Sequence, residues 1–302
     1  MAPAEAVRPL TVAEALSAGR SRLRDAGSPT ARLDAEVLLG HVTGRDRSWL
    51  LAHPEAAVDA IHEWTDALAR RSAGEPIAYI RGFKEWRSLR IRTDARALIP
   101  RPETELLAEA AIAEIAARLT RDDATIVTWE VATGSGAVAV ALALRFGSAI
   151  RLGRLRLVAS DVSADALELA AENLAAHRVE TLVDLACTDL LAAAGASLPR
   201  PDVVVANLPY VPAVEVDAGA ESLAHEPRLA LDGGPDGLDL LRRLLAELPS
   251  RTAPGASVLL EVGAGQAEAL PVMAPEGSSV TAMADLAGIE RVVRIGMAGW
   301  SA

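Results

Sequence analysis

Cysteine and lysine are almost absent from this 302-residue chain, which has one of each, Cys187 and Lys84. A single thiol excludes a disulfide scaffold and a thiolate zinc site. Five histidines, His41, His53, His62, His177 and His225, show no metal-ligand spacing with one another, so no metal is expected. Uninterrupted apolar runs of about 18 residues, the length that crosses a bilayer, are also missing. Positive charge is scarce: 30 basic against 41 acidic residues leave a net −11, which disfavours a nucleic-acid backbone as a direct partner. Residues 1–10 carry Glu5, Arg8 and two prolines and lack the apolar core of a secretory signal. The expectation is a cytoplasmic protein, off the membrane, with Cys187 reduced.

What is present is 51% apolar residue content, largely alanine, and 24% charge. The length is about twice a common domain, enough to bury a sizeable core and too rich in apolar residues for disorder. Residues 8–74 read as helical. Thr11 and Glu14 have capping-box spacing, and apolar residues recur every three or four positions. A second helix is expected from Ser28 or Thr30 to His41 through Leu33, Val37, Leu38 and Leu39, a third over 49–51, and a fourth over 58–71 with Ile61, Trp64 and Leu68 on one face. Trp49 and Trp64 read as core of this bundle.

From Pro76 the pattern changes. Ile77-Ala-Tyr-Ile and Leu89-Arg-Ile-Arg-Thr, on either side of Gly82, suggest a two-stranded ribbon joining the halves. A long helix over 106–119 then leads into strands at 125–131, 155–160, 182–186, 203–206 and 258–262, with shorter ones at 279–282 and 291–295. Such alternation makes an α/β fold with a mostly parallel sheet and helices on both faces.

The first strand of that sheet runs through Glu130-Val-Ala-Thr-Gly-Ser-Gly into a helix beginning at Ala137. Glycines at a strand-to-helix turn either admit a nucleotide or simply permit the sharp geometry. A dinucleotide fingerprint is incomplete, because its third glycine falls on Ala139. With no Gly-x-Ser-x-Gly elbow, Ser135 reads as a loop hydroxyl near a ligand. The second strand ends at Asp161, placed to accept both hydroxyls of a ribose or to cap the following helix, a role open to Ser163 as well. Asp189 and Leu190 follow the third strand, where an acid and an apolar side chain suit an adenine. Asn207-Leu-Pro-Tyr210 closes the fourth strand with an amide oxygen, a backbone carbonyl, a rigid bend and an aromatic face. That set suits a planar NH2 group, whose delocalised lone pair needs orientation more than a strong base for in-line attack on a methyl group. His225 and Glu226, and Arg101 and Glu103, either border the substrate cleft or pack and pair charges.

With these motifs together, the chain resembles the class I S-adenosylmethionine-dependent methyltransferases. More narrowly, it resembles the peptide-chain release factor glutamine N5-methyltransferase family, PrmC or HemK, whose motif is Asn-Pro-Pro-Tyr. Arg32-Leu-Asp-Ala-Glu-Val-Leu-Leu, Glu75-Pro-Ile-Ala-Tyr-Ile, Leu98-Ile-Pro-Arg-Pro-Glu-Thr-Glu and Glu226-Pro-Arg-Leu-Ala-Leu-Asp-Gly-Gly-Pro-Asp-Gly-Leu extend the likeness over nearly the whole chain. The resemblance implies a helical substrate-docking domain (1–74), a β-hairpin linker (75–99) and a seven-stranded Rossmann-like catalytic domain (100–302). It further implies S-adenosylmethionine bound across Ala132, Thr133, Gly134, Ser135 and Gly136, with its ribose on Asp161 and its adenine near Asp189 and Leu190. Asn207 would border cofactor and substrate alike. Asn207 and the Leu208 carbonyl would hold the glutamine of a release-factor Gly-Gly-Gln loop, with Pro209 shaping the turn and Tyr210 packed against the amide.

Three positions depart from the family pattern. Leu208 replaces its first proline and still supplies the carbonyl. Glu130 stands for the commoner Asp. Ala132 stands for a glycine, and its methyl crowds the cofactor if the residue needs φ > 0. The same wording is similar to ribosomal RNA adenine N6-methyltransferases, which the net −11 argues against. A glutamine methyltransferase of a ribosomal protein, and a cofactor-binding protein without turnover, are the remaining readings.

Overall fold

A computed structural model describes residues 10–121, 124–219 and 224–299, so most of the 1–10 stretch and its expected lack of a signal lie outside the described residues. The chain divides into two compact units, residues 1–82 and 83–302.

The first unit is helical: α1 (Val12–Asp25), α2 (Ala31–Thr43), α3 (Arg47–Ala52), α4 (Ile61–Ser72) and α5 (Ile77–Arg81). The capping box forms, with the Thr11 N–H donating to Glu14 and the Glu14 N–H donating to Thr11 Oγ1. Leu23, Leu38, Leu39, Leu50 and Trp64 make the core. Gly19 is what admits Trp64, because a Cβ there would lie 2.5 Å from the indole ring. Trp49 packs at the core's edge and stacks on His53. Ile61, expected on one face with Trp64 and Leu68, is exposed while those two are buried, and Leu33 of α2 is exposed as well.

The ribbon differs from its expected place. Ile77–Arg81 is a helical turn, capped before by Pro76 at φ −60° and after by Gly82 at φ +72°, the Pro-then-Gly punctuation of a short helix. The two strands are β1 (Phe83–Trp86) and β2 (Leu89–Arg92), paired antiparallel. Their two-residue turn puts Arg87 and Ser88 at φ +48° and +59°, the left-handed pair that tight hairpins favour, built here without glycine.

The rest of the second unit begins with α6 (Thr104–Arg121) and alternates through β3 (Ile126–Val131), α7 (Ala137–Arg151), β4 (Leu155–Asp161), α8 (Ala164–Ala176), β5 (Asp184–Cys187) and β6 (Val203–Ala206). It continues with α9 (Ala213–Asp217), α10 (Asp239–Arg251), β7 (Ser257–Glu261), α11 (Leu270–Met273), β8 (Ser279–Ala284) and β9 (Glu290–Gly296). The seven strands lie in the order β5-β4-β3-β6-β7-β9-β8. The first five run parallel and β9 pairs antiparallel with both neighbours. Strand β5 starts later than expected, because Glu180–Leu182 coil into a 3-10 turn ahead of it. Central strands β3, β6 and β7 are buried along their whole length, as strands covered on both faces must be. Alternate residues feed two cores: Leu157, Val203, Val205 and Leu259 meet α6 and α7, while Trp129, Val204 and Leu260 meet α10. Chain order reverses at β3, whose neighbours are β4 on one side and β6 on the other. The crevice past the carboxyl ends of β3 and β6 is therefore the binding position of the sheet. Among the described residues, no helix is long and apolar enough to cross a membrane.

Candidate active site

A cavity of about 290 Å³ opens at that crevice. Ala132, Thr133, Gly134, Ser135, Asp161, Asp189, Leu190, Asn207, Leu208 and Pro209 line it together. Gly136 and Tyr210 are not among its lining residues. Gly136 sits at φ +76° as the cap of α7, where a Cβ would stand 3.0 Å from that of Ala170, so close helix packing accounts for it. The Tyr210 ring instead lies beside Gly263, just past β7.

The turn after β3 is tightly wound. Ala132 at φ +56° and Gly134 at φ +53° are both left-handed, so the alanine that replaces the family's glycine carries a backbone cost of about 1 kcal/mol. The Thr133 N–H donates to the Ser160 carbonyl at 2.9 Å, and the Gly134 N–H to Asp161 Oδ2 at 2.9 Å. Asp161 Oδ1 accepts from the Ser163 N–H at 2.9 Å, while Ser163 caps α8 with its own hydroxyl. The capping alternative thus falls to Ser163, and Asp161 holds the turn against β4. Asn173 braces the other side, buried within α8, with its Nδ2 donating to the Ser135 carbonyl at 2.8 Å and its Oδ1 accepting from the Arg92 N–H at 2.7 Å.

Two carboxyls under the turn are held above their ordinary range. Burial pushes Glu130 up to about 8, the nearby Asp161 charge adds to the rise, and the Thr133 hydroxyl and Ala139 N–H oppose it. Burial likewise raises Asp161 against three backbone N–H groups. Neither has an arginine or lysine partner among the described residues. Glu130 Oε2 and Thr133 Oγ1 are buried with no hydrogen bond of standard geometry. A buried Glu130 and a half-buried Asp161 with no protein cation among the described residues fit a ligand that brings positive charge, and a sulfonium with an α-amino group does so. Asp189 is more exposed and pairs with Arg243 at 2.6 Å.

On the far side of the cavity, Asn207 Nδ2 donates to Thr104 Oγ1 at 3.2 Å. Leu208 is 2% exposed and joins the α10-side core, so packing supplies the rigidity that the family's proline would give. The Asp232 to Leu238 loop clamps the motif from outside. A Cβ on Gly233 would lie 2.7 Å from the Pro209 carbonyl, and one on Gly237 would collide with the Tyr210 carbonyl. Gln266 adds a strut, its Nε2 donating to the Tyr210 carbonyl at 3.1 Å. Glu226 is fully buried, accepting from the Ile99 N–H at 3.0 Å and from Arg101. Of its two readings, packing is the one the structure shows. Thr104, Asn173, Glu261 and Gln266 escaped the sequence reading. For Glu261 alone a signal existed, an acid ending the buried strand Ser-Val-Leu-Leu as Asp161 ends its own.

Residues 14–82 match the PrmC N-terminal domain. A release factor glutamine methyltransferase of Bordetella pertussis is 38% identical over 274 residues, 89% of this chain and 96% of the relative. One of Deinococcus radiodurans is 37% identical, covering 94% of this chain and 98% of its own. The chain belongs to the release factor glutamine methyltransferase family. Among solved structures, the hMettl16 catalytic domain in complex with the MAT2A 3'UTR hairpin 6 is similar with a TM-score of 0.50 at 12% identity, over 80% of this chain and 82% of that one. At that identity the likeness concerns the Rossmann-like fold. Leu208, Glu130 and Ala132 all line the crevice.

Proposed function

We propose that this chain is an S-adenosylmethionine-dependent methyltransferase acting on the side-chain amide nitrogen of the Gly-Gly-Gln glutamine of peptide-chain release factors. The observation that carries the reading is one cavity with the Ala132–Gly134 turn and Asp161 on one side and Asn207, Leu208 and Pro209 on the other. Membership of a family named for this activity supports it.

Bound S-adenosylmethionine supplies an electrophilic methyl group on a positively charged sulfur. The chain's own work is alignment. Ala132, Thr133, Gly134 and Ser135 offer backbone to the cofactor, Asp161 its carboxylate to the ribose, and Asp189 and Leu190 an acid and an apolar face to the adenine. Ionised Glu130 and Asp161 offset the cofactor's charge. Asn207 Oδ1 and the Leu208 carbonyl each accept one N–H of the glutamine amide, fixing the nitrogen in line with the methyl and substituting for water. The helical unit ahead of Gly82 docks the release factor and the β1–β2 ribbon joins it to the catalytic unit.

The test is transfer of labelled methyl from S-adenosylmethionine to a purified class I release factor, with its Gly-Gly-Gln glutamine variant, ribosomal proteins and ribosomal RNA in parallel. Label that vanishes with the glutamine is the expected result. Label on RNA or on a ribosomal protein would overturn it in favour of that substrate, and cofactor binding without transfer would leave a binding protein.

A further inference from the structure

Two polar residues at the same end of the sheet have no part in that reading. Thr104, the first residue of α6, is buried on the cavity wall, and its Oγ1 accepts the hydrogen bond from Asn207 Nδ2 at 3.2 Å. Glu261 ends β7, which pairs with β6 so that Leu260 stands beside Ala206. One further step along both strands brings Glu261 level with Asn207. The residue is 1% exposed. Neither oxygen makes a hydrogen bond of standard geometry, and the hydroxyls of Thr104 and Tyr210 are near enough only to oppose the rise that burial imposes on its pKa. A carboxylate in an otherwise apolar strand end, without a bonded cation, is costly to bury and calls for a reason.

We propose that Glu261 is a positioning residue: through the Thr104 hydroxyl it sets the orientation of the Asn207 side-chain amide, so that Oδ1 and not Nδ2 faces the substrate nitrogen. The inference rests on the assignment of Asn207 as substrate acceptor. The two ends of a carboxamide are nearly equal in shape, and a flipped Asn207 would set its own N–H groups against those of the substrate. A hydroxyl has one proton. An ionised Glu261 can only accept, so it takes the Thr104 proton. The Thr104 oxygen is then left as an acceptor, which Nδ2 of Asn207 alone can fill. A protonated Glu261 donates to Thr104 instead, frees the Thr104 proton for Oδ1, and permits the flip.

Orientation is therefore coupled to one ionisation. Burial pushes Glu261 up to about 7. The Thr104 hydroxyl and Arg291 of β9 oppose that rise, as does the Tyr210 hydroxyl, and the Glu103 charge adds to it. The account predicts that kcat at saturating cofactor falls as pH drops through about 7, while cofactor affinity follows other groups.

The experiment measures kcat against pH, and cofactor Kd, for the full-length enzyme and four variants. Glu261→Gln and Thr104→Val are each expected to lower kcat at least ~10-fold, with Kd for S-adenosylmethionine within about twofold of the parent. In Glu261→Gln the acid limb near pH 7 should vanish. Thr104→Ser, which restores the hydroxyl, should recover most of the rate. The Glu261→Gln/Thr104→Val double variant should lose no more than the worse single one, because both break the same relay. A parallel readout needs no substrate: the Asn207 side-chain amide signals in a 15N spectrum, identified by their loss in Asn207→Ala, should titrate near pH 7 in the parent and stay fixed in Glu261→Gln. Retention of kcat and of the acid limb in Glu261→Gln would overturn the relay, as would amide signals that titrate identically in both. An inactive parent on every release factor would instead count against the substrate reading, with the spectrum still deciding the relay.

Discussion

The two sides of the crevice hold their acids differently. Under the turn after β3, Glu130 is buried and Asp161 half-buried with no cationic partner among the described residues, and Asp161 is tied to backbone N–H groups at Gly134 and Ser163. At the ends of β6 and β7, Asn207 donates to the Thr104 hydroxyl, which lies near a buried Glu261 carboxylate that itself makes no hydrogen bond of standard geometry. The first arrangement leaves acids whose ionised form a cationic ligand would favour. The second uses charge to orient a neutral amide. The cofactor side should therefore answer to mutation through affinity, and the substrate side through turnover.

The largest expected break in that division is Asn207→Ala. It should lower kcat by ~10²-fold or more, since the reacting nitrogen loses one of its two acceptors, with calorimetric affinity for S-adenosylmethionine nearly unchanged. Asp161→Ala should act the other way, weakening cofactor binding by ~10-fold or more, about 1.4 kcal/mol, and changing kcat at saturation much less. Equal effects of both variants on both constants would erase the comparison.

Glu130 sharpens it through pH. In the free protein its carboxyl is raised to about 8, so it is mostly protonated at pH 7, whereas a cationic ligand favours the ionised form. Cofactor binding should release a proton and tighten between pH 7 and 9, and Glu130→Gln should flatten that dependence. Stability runs oppositely in the free protein. The folded state holds this proton more strongly than the unfolded one, so Glu130's contribution is fully present below about pH 4.5 and is lost as pH rises through about 8. Melting curves of the parent relative to Glu130→Gln follow that window.

The smallest effect concerns Ala132. Its φ of +56° makes Ala132→Gly the change that relieves backbone strain, worth about 1 kcal/mol before the added chain entropy of glycine is subtracted. A melting temperature unchanged or slightly raised, together with equal or tighter cofactor binding, is the expected outcome. A clear loss of both would mean the methyl packs usefully in the turn.

Much of the architecture was legible because it is local. The capping box at Thr11, the alternation of strands and helices, and the acids and amide ending β4 and β6 are short-range patterns, and the structure places each where the pattern does. The ribbon was misread because its turn, Arg87 and Ser88, reaches left-handed geometry without glycine, while Gly82, the visible punctuation, ends a helix. Thr104 and Glu261 were not legible for a different reason. They lie about a hundred and about fifty residues from Asn207 in sequence, and only the sheet order that sets β7 beside β6, with α6 packed at their ends, brings the three together. Gly136 shows the reverse: a glycine in a ligand-binding turn whose requirement is the approach of Ala170.

The most direct measurement is mass spectrometry of a class I release factor after incubation with S-adenosylmethionine and either the parent enzyme or Asn207→Ala. The account predicts a single added methyl on the Gly-Gly-Gln glutamine with the parent and almost none with the variant, while both proteins bind cofactor alike. An unmodified glutamine with the parent, or equal methylation by both proteins, would contradict it.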